Sequence, residues 1–423
     1  MNPAVSDIDD AIVGLLIRMR RFASQVSLSN PRIQKHSDLP FLRVFWACSA
    51  EVRALAEYLV RHPHEASSVL QVERRIDVGT VRGRLDARET TIRQIGSGNP
   101  GLFVSLEAVR SYATGPNHLV VWVLEEARRL CREMLRTAAA ESAYATHFEV
   151  VTRALEDASR LEGIRIASAQ IDTTRRPTTS AISQAKRVRT RLYHLAADAY
   201  MSLLAIEQSD EMRIRDVLQE ALLGPLEMWK RFELYVAVAM GEALGRTVGI
   251  PCDLSPSFSQ DGLLIKVGDY RIYWQAQTEH FSTPCLEPSE AKVRQILKAL
   301  GMNAGWDRPD VVVVNARARE VVAIAEVKYF TSEGNDGRSA IRAAIDQLVR
   351  YVRGYRDEAG WDDLLDHSLA IPVLCDVSLT EPRSFGVPWI VDFNLIQSQA
   401  LDHWSRALIS ASIPSRAQSP LAA

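Results

Sequence analysis

Two acidic side chains and a lysine lie at the ends of two apolar segments in the C-terminal half of the chain. Asp310 directly precedes the first segment, residues 311–314, and Glu326 and Lys328 follow the second, residues 321–325. Hard divalent cations prefer carboxylate oxygens as ligands, and the lysine would place an ammonium group beside such an ion. These residue types therefore indicate a metal site, provided that the fold brings them together.

A β-hairpin would bring them together. Both apolar segments are rich in β-branched residues, and a short polar connection separates them. Folding the chain about this connection pairs Asn315 with Glu320. In that register, Asp310 lies at the level of Ala325 and Glu326. Because side chains alternate between the two faces of a strand, Glu326 and Lys328 should point to the same side.

A helix should follow this hairpin, over about residues 336–356. Gln347 and Tyr351 stand four positions apart and therefore share one face of that helix. Each piece of the pattern has a structural alternative, since an Asp after Pro is usually a turn residue and an acid-x-Lys triplet is usually a solvated strand edge. The ordered combination favours a site, because apolar runs hold both acids at strand ends and the helix follows them.

These residues resemble the motif of the PD-(D/E)xK nuclease superfamily, with Asp310, Glu326 and Lys328 in its three named positions. Gln347 and Tyr351 resemble the Gln-x-x-x-Tyr helix of the RecB-type branch. The resemblance implies an α/β core of the restriction-endonuclease type, a mixed sheet flanked by helices. It also implies hydrolysis of phosphodiester bonds in DNA with Mg²⁺ or Mn²⁺ as the cofactor.

The resemblance further requires an acid on the helix that precedes the strands. Glu233 begins an apolar helical stretch that we expect to end at Gly245. A carboxylate buried there needs a metal or a hydrogen-bond partner. Glu227 is the competing residue, and pairing of Glu233 with Lys230 is the structural alternative. We expect Glu233 to be a metal ligand together with Asp310, Glu326 and the backbone carbonyl of Val327.

A helix that opens with aromatic-Glu-Leu-aromatic at Phe232, followed by Arg308-Pro309-Asp310, resembles McrC-type restriction subunits and their relatives. That likeness implies the nuclease subunit of a bacterial restriction or anti-phage defence system. McrC-type proteins act with a separate AAA+ NTPase. This chain has no Gly-x-x-x-x-Gly-Lys-Ser/Thr loop, so the motor would be another polypeptide.

Each residue of the motif has a role under this interpretation. Lys328 would orient the attacking water and stabilise the charge of the transition state. Gln347 and Tyr351 would position the lysine or the DNA backbone. The basic residues expected to contact DNA are Arg308, Arg338 and Arg342. The tryptophans expected to fill cores rather than stack on bases are Trp46, Trp122, Trp229 and Trp274.

Composition bounds the class of protein. The 423 residues, 47% of them hydrophobic and 24% charged, are typical of a globular protein with two or three domains. The formal net charge of −2 gives no overall attraction to nucleic acid, so DNA affinity must come from local basic patches or a partner. No membrane span, export signal or paired cysteine spacing is found. We therefore expect a cytoplasmic protein without a zinc site.

The sequence pattern divides the chain into four structural regions. Residues 1–115 form an N-terminal helical and small β-rich region, 116–223 a long-helix region, 224–400 the nuclease domain, and 401–423 a C-terminal helix and disordered tail. Within these ranges the pattern predicts two helices over 8–61, short strands over 69–103 and one helix over 183–207. For the nuclease domain it predicts a first hairpin over 262–276, a helix over 287–300 and later strands over 369–375 and 387–393.

Two other functions stay open at this point. The N-terminal half could act as an interaction module in a protein whose nuclease core is inactive, although an intact Asp310, Glu326 and Lys328 argue against that. The same core could also serve an RNase effector. The sequence leaves open self-association into a homo-oligomer, the DNA sequence or modification recognised, and the trigger.

Overall fold

The described strands form two sheets, and helices make up most of the other described residues. The computed structural model describes residues 5–29, 39–137, 143–255, 262–275, 308–329, 337–355, 369–375, 390–398 and 400–412, with a few positions between 292 and 300 and residue 364. The chain divides into two compact units. The first comprises Met1–Phe45, Glu133–His147 and Ser209–Ala423, and the second comprises Trp46–Arg132 and Phe148–Gln208.

The described helices are α1 (Val5–Ser29), α2 (Leu39–Ala47), α3 (Ala50–Arg61), α4 (Ala87–Ser97), α5 (Gly115–Thr137), α6 (Ala143–Arg160), α7 (Glu162–Gln170), α8 (Thr179–Arg187), α9 (Arg191–Glu207), α10 (Glu211–Val217), α11 (Met228–Val248), α12 (Gly337–Tyr355), α13 (Phe393–Gln397) and α14 (Leu401–Ser412). A π-helical segment, Leu218–Leu223, follows α10. The described strands are β1 (Val69–Val78), β2 (Arg84–Leu85), β3 (Leu102–Ser111), β4 (Asp253–Leu254), β5 (Leu263–Val267), β6 (Tyr270–Trp274), β7 (Val311–Asn315), β8 (Glu320–Lys328), β9 (Ala370–Leu374) and β10 (Val391–Asp392).

The first unit contains a sheet of seven described strands in the order β10-β9-β8-β7-β6-β5-β4. Neighbouring strands from β4 to β8 are antiparallel, whereas β8 and β9, and β9 and β10, run parallel. Helix α11 packs against β5 to β8, α12 packs against β8 and β9, and α14 packs against α11 and β8. The predicted architecture, a mixed sheet flanked by helices, is therefore confirmed. Its assignment to the restriction-endonuclease type stays a prediction.

Strands β7 and β8 are the most deeply buried part of this sheet. Residues 311–314 and 321–327 are buried without interruption. A strand with both faces covered needs apolar residues at successive positions, which is why these two segments do not alternate with polar residues. Full burial of each Val or Ile side chain contributes about 1.5–3 kcal/mol. This apolar block fixes the strand ends at which Asp310 and Glu326 lie.

Helix α11 lies unusually close to the sheet. An added Cβ at Gly241 would come within 2.6 Å of Ile265 Cδ1, and one at Gly245 would come within 2.7 Å of Cys252 Sγ. The helix runs past Gly245, where the sequence predicted its end, and stops at Val248. Gly249 follows in the left-handed conformation, with φ +74°, as a C-cap. Gly245 is therefore a packing residue and not a helix stop.

A small three-stranded antiparallel sheet belongs to the second unit, in the order β1-β3-β2, with α4 packed against β3. The sequence predicted only strands over residues 69–103 and missed α4. The side chain of Asp86 caps this helix by accepting from the backbone N–H of Glu89. A local capping interaction of this kind outweighs the strand-like spacing of the glycines.

Two further predictions about helices are wrong in detail. Residues 8–61 form three described helices rather than two, because the chain breaks again before Ala50, where Ser49 has an extended backbone. The helix predicted over 183–207 is divided into α8 and α9 by extended backbone at Val188 and Thr190. The hairpin of β5 and β6 and the helix α12 are found as predicted.

Several other predictions are met in part or lie outside the described residues. Strands β9 and β10 fall within the predicted ranges 369–375 and 387–393, and α14 begins at the predicted C-terminal helix. The helix predicted over 287–300 and the tail after 412 lie mostly or wholly outside the described ranges. The division of the sequence into four ranges stays a prediction. Within the described ranges, none of the helices combines the length and the apolar character that a membrane span requires.

Three of the four tryptophans for which the sequence predicted a core position are buried. Trp46, Trp122 and Trp274 are buried, and the indole of Trp46 donates to the backbone oxygen of Ala199. The prediction for Trp229 is wrong, because 41% of this residue is exposed. An exposed indole at the start of α11 needs another explanation.

Candidate active site at the ends of strands β7 and β8

Strands β7 and β8 pair in the predicted register. Asn315 is opposite Glu320 and Val311 is opposite Ala325, although an irregularity between Val313 and Val314 shifts the register inside the hairpin. Asp310 directly precedes Val311. The pairing therefore brings the backbone of Asp310 beside the end of β8, where Glu326 and Lys328 lie.

A hydrogen bond ties the side chain of Asp310 to β8. Its Oδ2 accepts from the backbone N–H of Val327 at 2.8 Å. Burial raises the pKa of Asp310 to about 6, whereas this hydrogen bond and the positive charges of Lys328 and Arg308 act in the opposite direction. The hydrogen bond thus fixes the position of the carboxylate, while burial disfavours its ionised form.

Glu326 and Lys328 point to the same side of β8, as the alternation of a strand requires. The ammonium of Lys328 donates to Oε1 of Glu326. Only 2% of Glu326 is exposed, and its other oxygen, Oε2, is buried without a hydrogen-bond partner among the described residues. Burial and the nearby negative charge of Asp310 raise the pKa of Glu326 to about 7.

Glu233 of α11 reaches the same cluster. It is 5% exposed, and its Oε2 accepts from the indole N–H of Trp274 at 3.1 Å and from Nε2 of Gln275 at 2.6 Å. Burial raises the pKa of Glu233 to about 8, and repulsion from Asp310 and Glu326 adds to this effect. Gln275 donates to Glu233 through its side chain and to the backbone oxygen of Asp310 through its N–H, which brings the helix acid beside the strand acids.

Glu227 and Glu233, the two acids at the start of α11, differ in burial and in their partners. Glu227 lies at the N-cap position of α11, is exposed, and accepts a hydrogen bond from the indole of Trp229. Glu233 is buried and faces the strand ends rather than Lys230 or solvent. The geometry therefore favours Glu233 over Glu227 as the partner of the strand acids.

The cluster of Glu233, Asp310 and Glu326 fits a divalent cation in its chemistry. All of its ligand atoms would be carboxylate oxygens, which suits Mg²⁺ or Mn²⁺. Buried carboxylates that repel one another need positive charge nearby, and Glu326 Oε2 has no partner. No three His, Cys, Asp or Glu side chains of the described chain are already arranged around a common point for a metal. One oxygen of each acid is hydrogen-bonded within the protein instead: Lys328 donates to Glu326, Val327 donates to Asp310, and Trp274 and Gln275 donate to Glu233.

Gln275 contacts two parts of the site, although no motif in the sequence predicted a role for it. Its Nε2 donates to Glu233, and its Oε1 accepts from the guanidinium of Arg308 at 3.0 Å. Its backbone oxygen also accepts from Arg308, and its N–H donates to the backbone oxygen of Asp310 at 2.9 Å. The φ angle of Gln275 is +50°. A left-handed backbone at a residue other than Gly, Asn or Asp is uncommon and often marks a functional site.

Helix α12 contributes the two residues of the Gln-x-x-x-Tyr pattern. The hydroxyl of Tyr351 donates to the backbone oxygen of Arg308 at 3.3 Å, and Tyr351 is buried. Oε1 of Gln347 is buried and has no hydrogen-bond partner among the described residues. The positive charge of Arg350, on the same helix, opposes the rise in the pKa of Glu326 that burial causes. The helix therefore lies beside the carboxylates, with Tyr351 supporting the segment that leads into Asp310.

The basic residues predicted to contact DNA differ in position. Arg308 is exposed and lies at the cluster through its contacts with Gln275. Arg342 is exposed on α12, with its Nε 4.0 Å from the carboxylate of Asp346. Arg338 also belongs to α12, but its side chain lies outside the described part of the chain. Of the two arginines whose side chains are described, Arg308 is the one linked to the acids, through Gln275.

Comparisons with known proteins add little to this geometry. No protein-family model matches the sequence, and no curated protein matches it. Among solved structures, the chain is similar to a chain of a Thermococcus gammatolerans assembly of McrB AAA+ hexamers with bound McrC. The sequence identity is 14%, the match covers 94% of this chain and 75% of that chain, and the TM-score is 0.25. A likeness at this level supports no argument about fold or function.

Proposed function

We propose that this protein is a metal-dependent nuclease that hydrolyses phosphodiester bonds, with DNA as its substrate. One observation supports the proposal above all others. The side chains of Glu326 and Lys328 meet at the end of β8, and Asp310, at the adjoining end of β7, is hydrogen-bonded between them to the backbone of Val327. Asp310 thus lies beside the Glu326–Lys328 pair on the neighbouring strand, and the buried Glu233 of α11 is a third acid close to them.

The residues proposed to hold Mg²⁺ or Mn²⁺ are Glu233, Asp310 and Glu326, with the backbone carbonyl of Val327 as a further ligand. A bound divalent cation would lower the pKa of its water and offset negative charge on the phosphate. The raised pKa values of the acids support this assignment, because positive charge at the cluster would favour their ionised forms.

Lys328 is proposed to act on the phosphate and the attacking water. Its ammonium, which donates to Glu326, can turn toward a phosphate oxygen through the rotation of its long side chain. There it would orient the water and stabilise the charge that develops as the new P–O bond forms and the bond to the leaving oxygen breaks. The leaving oxygen takes up a proton. Gln347 is proposed to position Lys328 or the DNA backbone, and Tyr351 to fix the Arg308 segment.

Arg308, Arg338 and Arg342 are proposed to contact backbone phosphates. The net charge of −2 leaves such local residues as the source of affinity. Each neutralised phosphate releases counterions, so binding should weaken steeply as the salt concentration rises. Replacement of Arg308 by Gln should reduce the slope of log affinity against log salt by about one unit.

We further propose a separate AAA+ NTPase as partner, on the ground that the residues around Glu233 and Asp310 resemble those of McrC-type subunits. The small sheet of the second unit offers a surface for a protein contact. Side chains alternate between the faces of a strand, so one face of β1 carries four exposed apolar residues: Leu70, Val72, Ile76 and Val78.

The double variant Leu70→Glu with Val72→Glu should abolish co-elution with an NTPase encoded beside this chain. Val150→Glu, at an exposed position of α6, is the control and should not change co-elution. Co-elution unchanged in the double variant would exclude this face.

Cleavage assays test the nuclease proposal. Purified protein is incubated with plasmid, single-stranded DNA and RNA, with Mg²⁺ or with EDTA, alone and with any co-encoded NTPase. Asp310→Ala and Lys328→Ala should each reduce Mg²⁺-dependent cleavage by at least about a thousandfold. Asp269→Ala and Lys266→Ala are matched controls, because both residues lie at the opposite end of the sheet, next to the β5–β6 turn. These variants should cleave like the unchanged protein.

Three other results of the cleavage assays would contradict or change the proposal. Full activity of folded Asp310→Ala or Lys328→Ala protein would refute the assignment of the site. Cleavage of RNA alone would make the protein an RNase on the same core. Absence of cleavage under every condition would favour an interaction module with an inactive core.

A further inference from the structure

Trp229 is exposed on the first unit, at the start of α11. Of its surface, 41% is accessible, whereas Trp46, Trp122 and Trp274 are buried. A Trp side chain combines a large apolar surface with an N–H donor and is most often found in cores or at binding surfaces. Its exposure therefore suggests a contact with another molecule.

The exposed indole ring is held in place by its neighbours. Its N–H donates to the carboxylate of Glu227, and the ammonium of Lys230 lies 4.9 Å from the centre of the ring. An ammonium at this distance from an aromatic ring is attracted to its face. A ring that is fixed before binding loses little conformational entropy when a ligand stacks on it. The fixed orientation of its ring therefore makes Trp229 suitable for stacking against a ligand.

Trp229 also lies next to the candidate active site. It precedes Glu233 by four residues on α11, so the two side chains project from the same face of the helix, with Cβ atoms about 5–6 Å apart. Glu233 is directed toward Trp274 and Gln275 at the strand ends. The indole is therefore one helical turn from an acid proposed to bind the metal.

We propose that Trp229 stacks on a nucleobase of the strand that is cleaved, with Lys230 contacting a neighbouring phosphate. The inference rests on the proposed nuclease function and specifies its substrate. Bases inside a duplex already stack on one another, so the indole can reach only a base that is unpaired or turned out of the helix. The protein should therefore prefer single-stranded nucleic acid, or duplex that has been opened locally.

The test measures the binding of fluorescein-labelled single-stranded DNA, and of the matching duplex, by fluorescence anisotropy. The buffer contains EDTA so that neither DNA is cleaved. Trp229→Ala should weaken single-strand binding by about tenfold. It should change duplex binding by less than about twofold, because a paired base is not available for stacking. Trp229→Phe keeps an aromatic ring and should bind the single strand within about threefold of the unchanged protein. Met212→Ala, which removes an exposed apolar side chain from α10, is the matched control and should bind normally.

A second measurement follows the indole itself. Single-stranded DNA should quench tryptophan emission in the unchanged protein more strongly than in Trp229→Phe, since stacking brings a base into contact with the ring. Equal single-strand binding by Trp229→Ala and the unchanged protein would overturn the inference, and so would an equal loss with Met212→Ala. Loss of binding to a protein partner without loss of nucleic-acid binding would reassign Trp229 to a protein contact.

Failure of this inference can be separated from failure of the proposed function. If Trp229→Ala binds normally while Asp310→Ala fails to cleave, only the stacking role is refuted. If Asp310→Ala protein cleaves as well as the unchanged protein, the nuclease site itself is refuted, whatever Trp229 binds.

Discussion

The side-chain amide of Gln275 donates to Glu233 at 2.6 Å, although the two residues are separated by 42 positions in the chain. The same amide group accepts from Arg308 through its oxygen. Gln275 therefore connects an acid of the helix α11 with the segment that leads into Asp310. Because its φ is +50°, this connection is made at the expense of backbone strain.

Two substitutions of Gln275 separate the effect of its side-chain hydrogen bonds from the effect of its strained backbone. Gln275→Gly tolerates the left-handed backbone but loses both side-chain hydrogen bonds, so we expect nearly unchanged stability and Mg²⁺ affinity reduced by about tenfold. Gln275→Ala loses the same bonds and keeps the strain, so it should be less stable than Gln275→Gly by about 1 kcal/mol. Isothermal titration with Mg²⁺ and thermal melts measure the two effects. Unchanged Mg²⁺ affinity in both variants would exclude a positioning role.

The pH dependence of stability tests the carboxyl cluster. The pKa of Glu233 is raised to about 8, that of Glu326 to about 7 and that of Asp310 to about 6, so the folded state binds protons more tightly than the unfolded state. This contribution to stability is complete below the ordinary carboxyl pKa of about 4 and is lost as the pH rises through about 6 to 8. In EDTA, the melting temperature should therefore fall between about pH 5.5 and pH 8.5, by about 5 °C or more.

Replacement of one acid provides the control for this trend. Glu233→Gln keeps the shape of the side chain and its acceptor oxygen, but it removes the charge that is repelled by Asp310 and Glu326. The variant should be more stable than the unchanged protein at pH 8.5, by about 1–2 kcal/mol, with a flatter pH profile. The same slope in both proteins would show that Glu233 does not titrate as part of the cluster.

Addition of Mg²⁺ should reverse the loss of stability at high pH. A ligand that binds only the folded protein stabilises it by about 2.7 kcal/mol at a hundred times its dissociation constant. At pH 8.5 the melting temperature should therefore rise with Mg²⁺ in the unchanged protein, but not in Asp310→Asn. Melting curves over a range of Mg²⁺ concentrations give the result. An equal rise in Asp310→Asn would place the cation elsewhere.

The close approach of α11 to the sheet predicts a cost for Gly241→Ala. The new methyl group would meet Ile265 Cδ1 at 2.6 Å and Ile272 Cδ1 at 3.3 Å, so the side chains or the helix must move. We expect a loss of about 1–3 kcal/mol in the free energy of unfolding. Gly96→Ala on α4 is the matched control, because an added Cβ there meets nothing within 4 Å. That variant should gain about 0.5–1 kcal/mol from helix propensity. Similar stability of the two variants would argue against tight packing at Gly241.

The parts of the site that follow from local sequence were predictable. The register of β7 and β8 depends on a short hairpin, so the apolar segments and the polar turn between them were enough to place Asp310 beside Glu326. Helix α12 shows a regular helical spacing and was predicted within a residue or two at each end. In both cases the decisive interactions lie close together along the chain.

The parts that depend on distant pairing were not predictable in the same way. Trp274 and Gln275 reach Glu233 because β6 pairs with β7 across more than 30 intervening residues, and nothing local specifies that pairing. Trp229 was expected in a core, but it lies in the first turn of α11, before the continuous buried stretch that begins at Phe232. The helix α4 was missed because the glycines around it resemble strand turns, while the cap at Asp86 decides the local structure.

Anomalous X-ray diffraction from crystals grown with Mn²⁺ tests the central claim most directly. We expect one strong peak at coordination distance, about 2.2 Å, from oxygens of Asp310 and Glu326, with the ammonium of Lys328 moved away from Glu326. A peak remote from both carboxylates, or its persistence at the same place in Asp310→Ala crystals, would contradict the claim that these residues form a metal-dependent nuclease site.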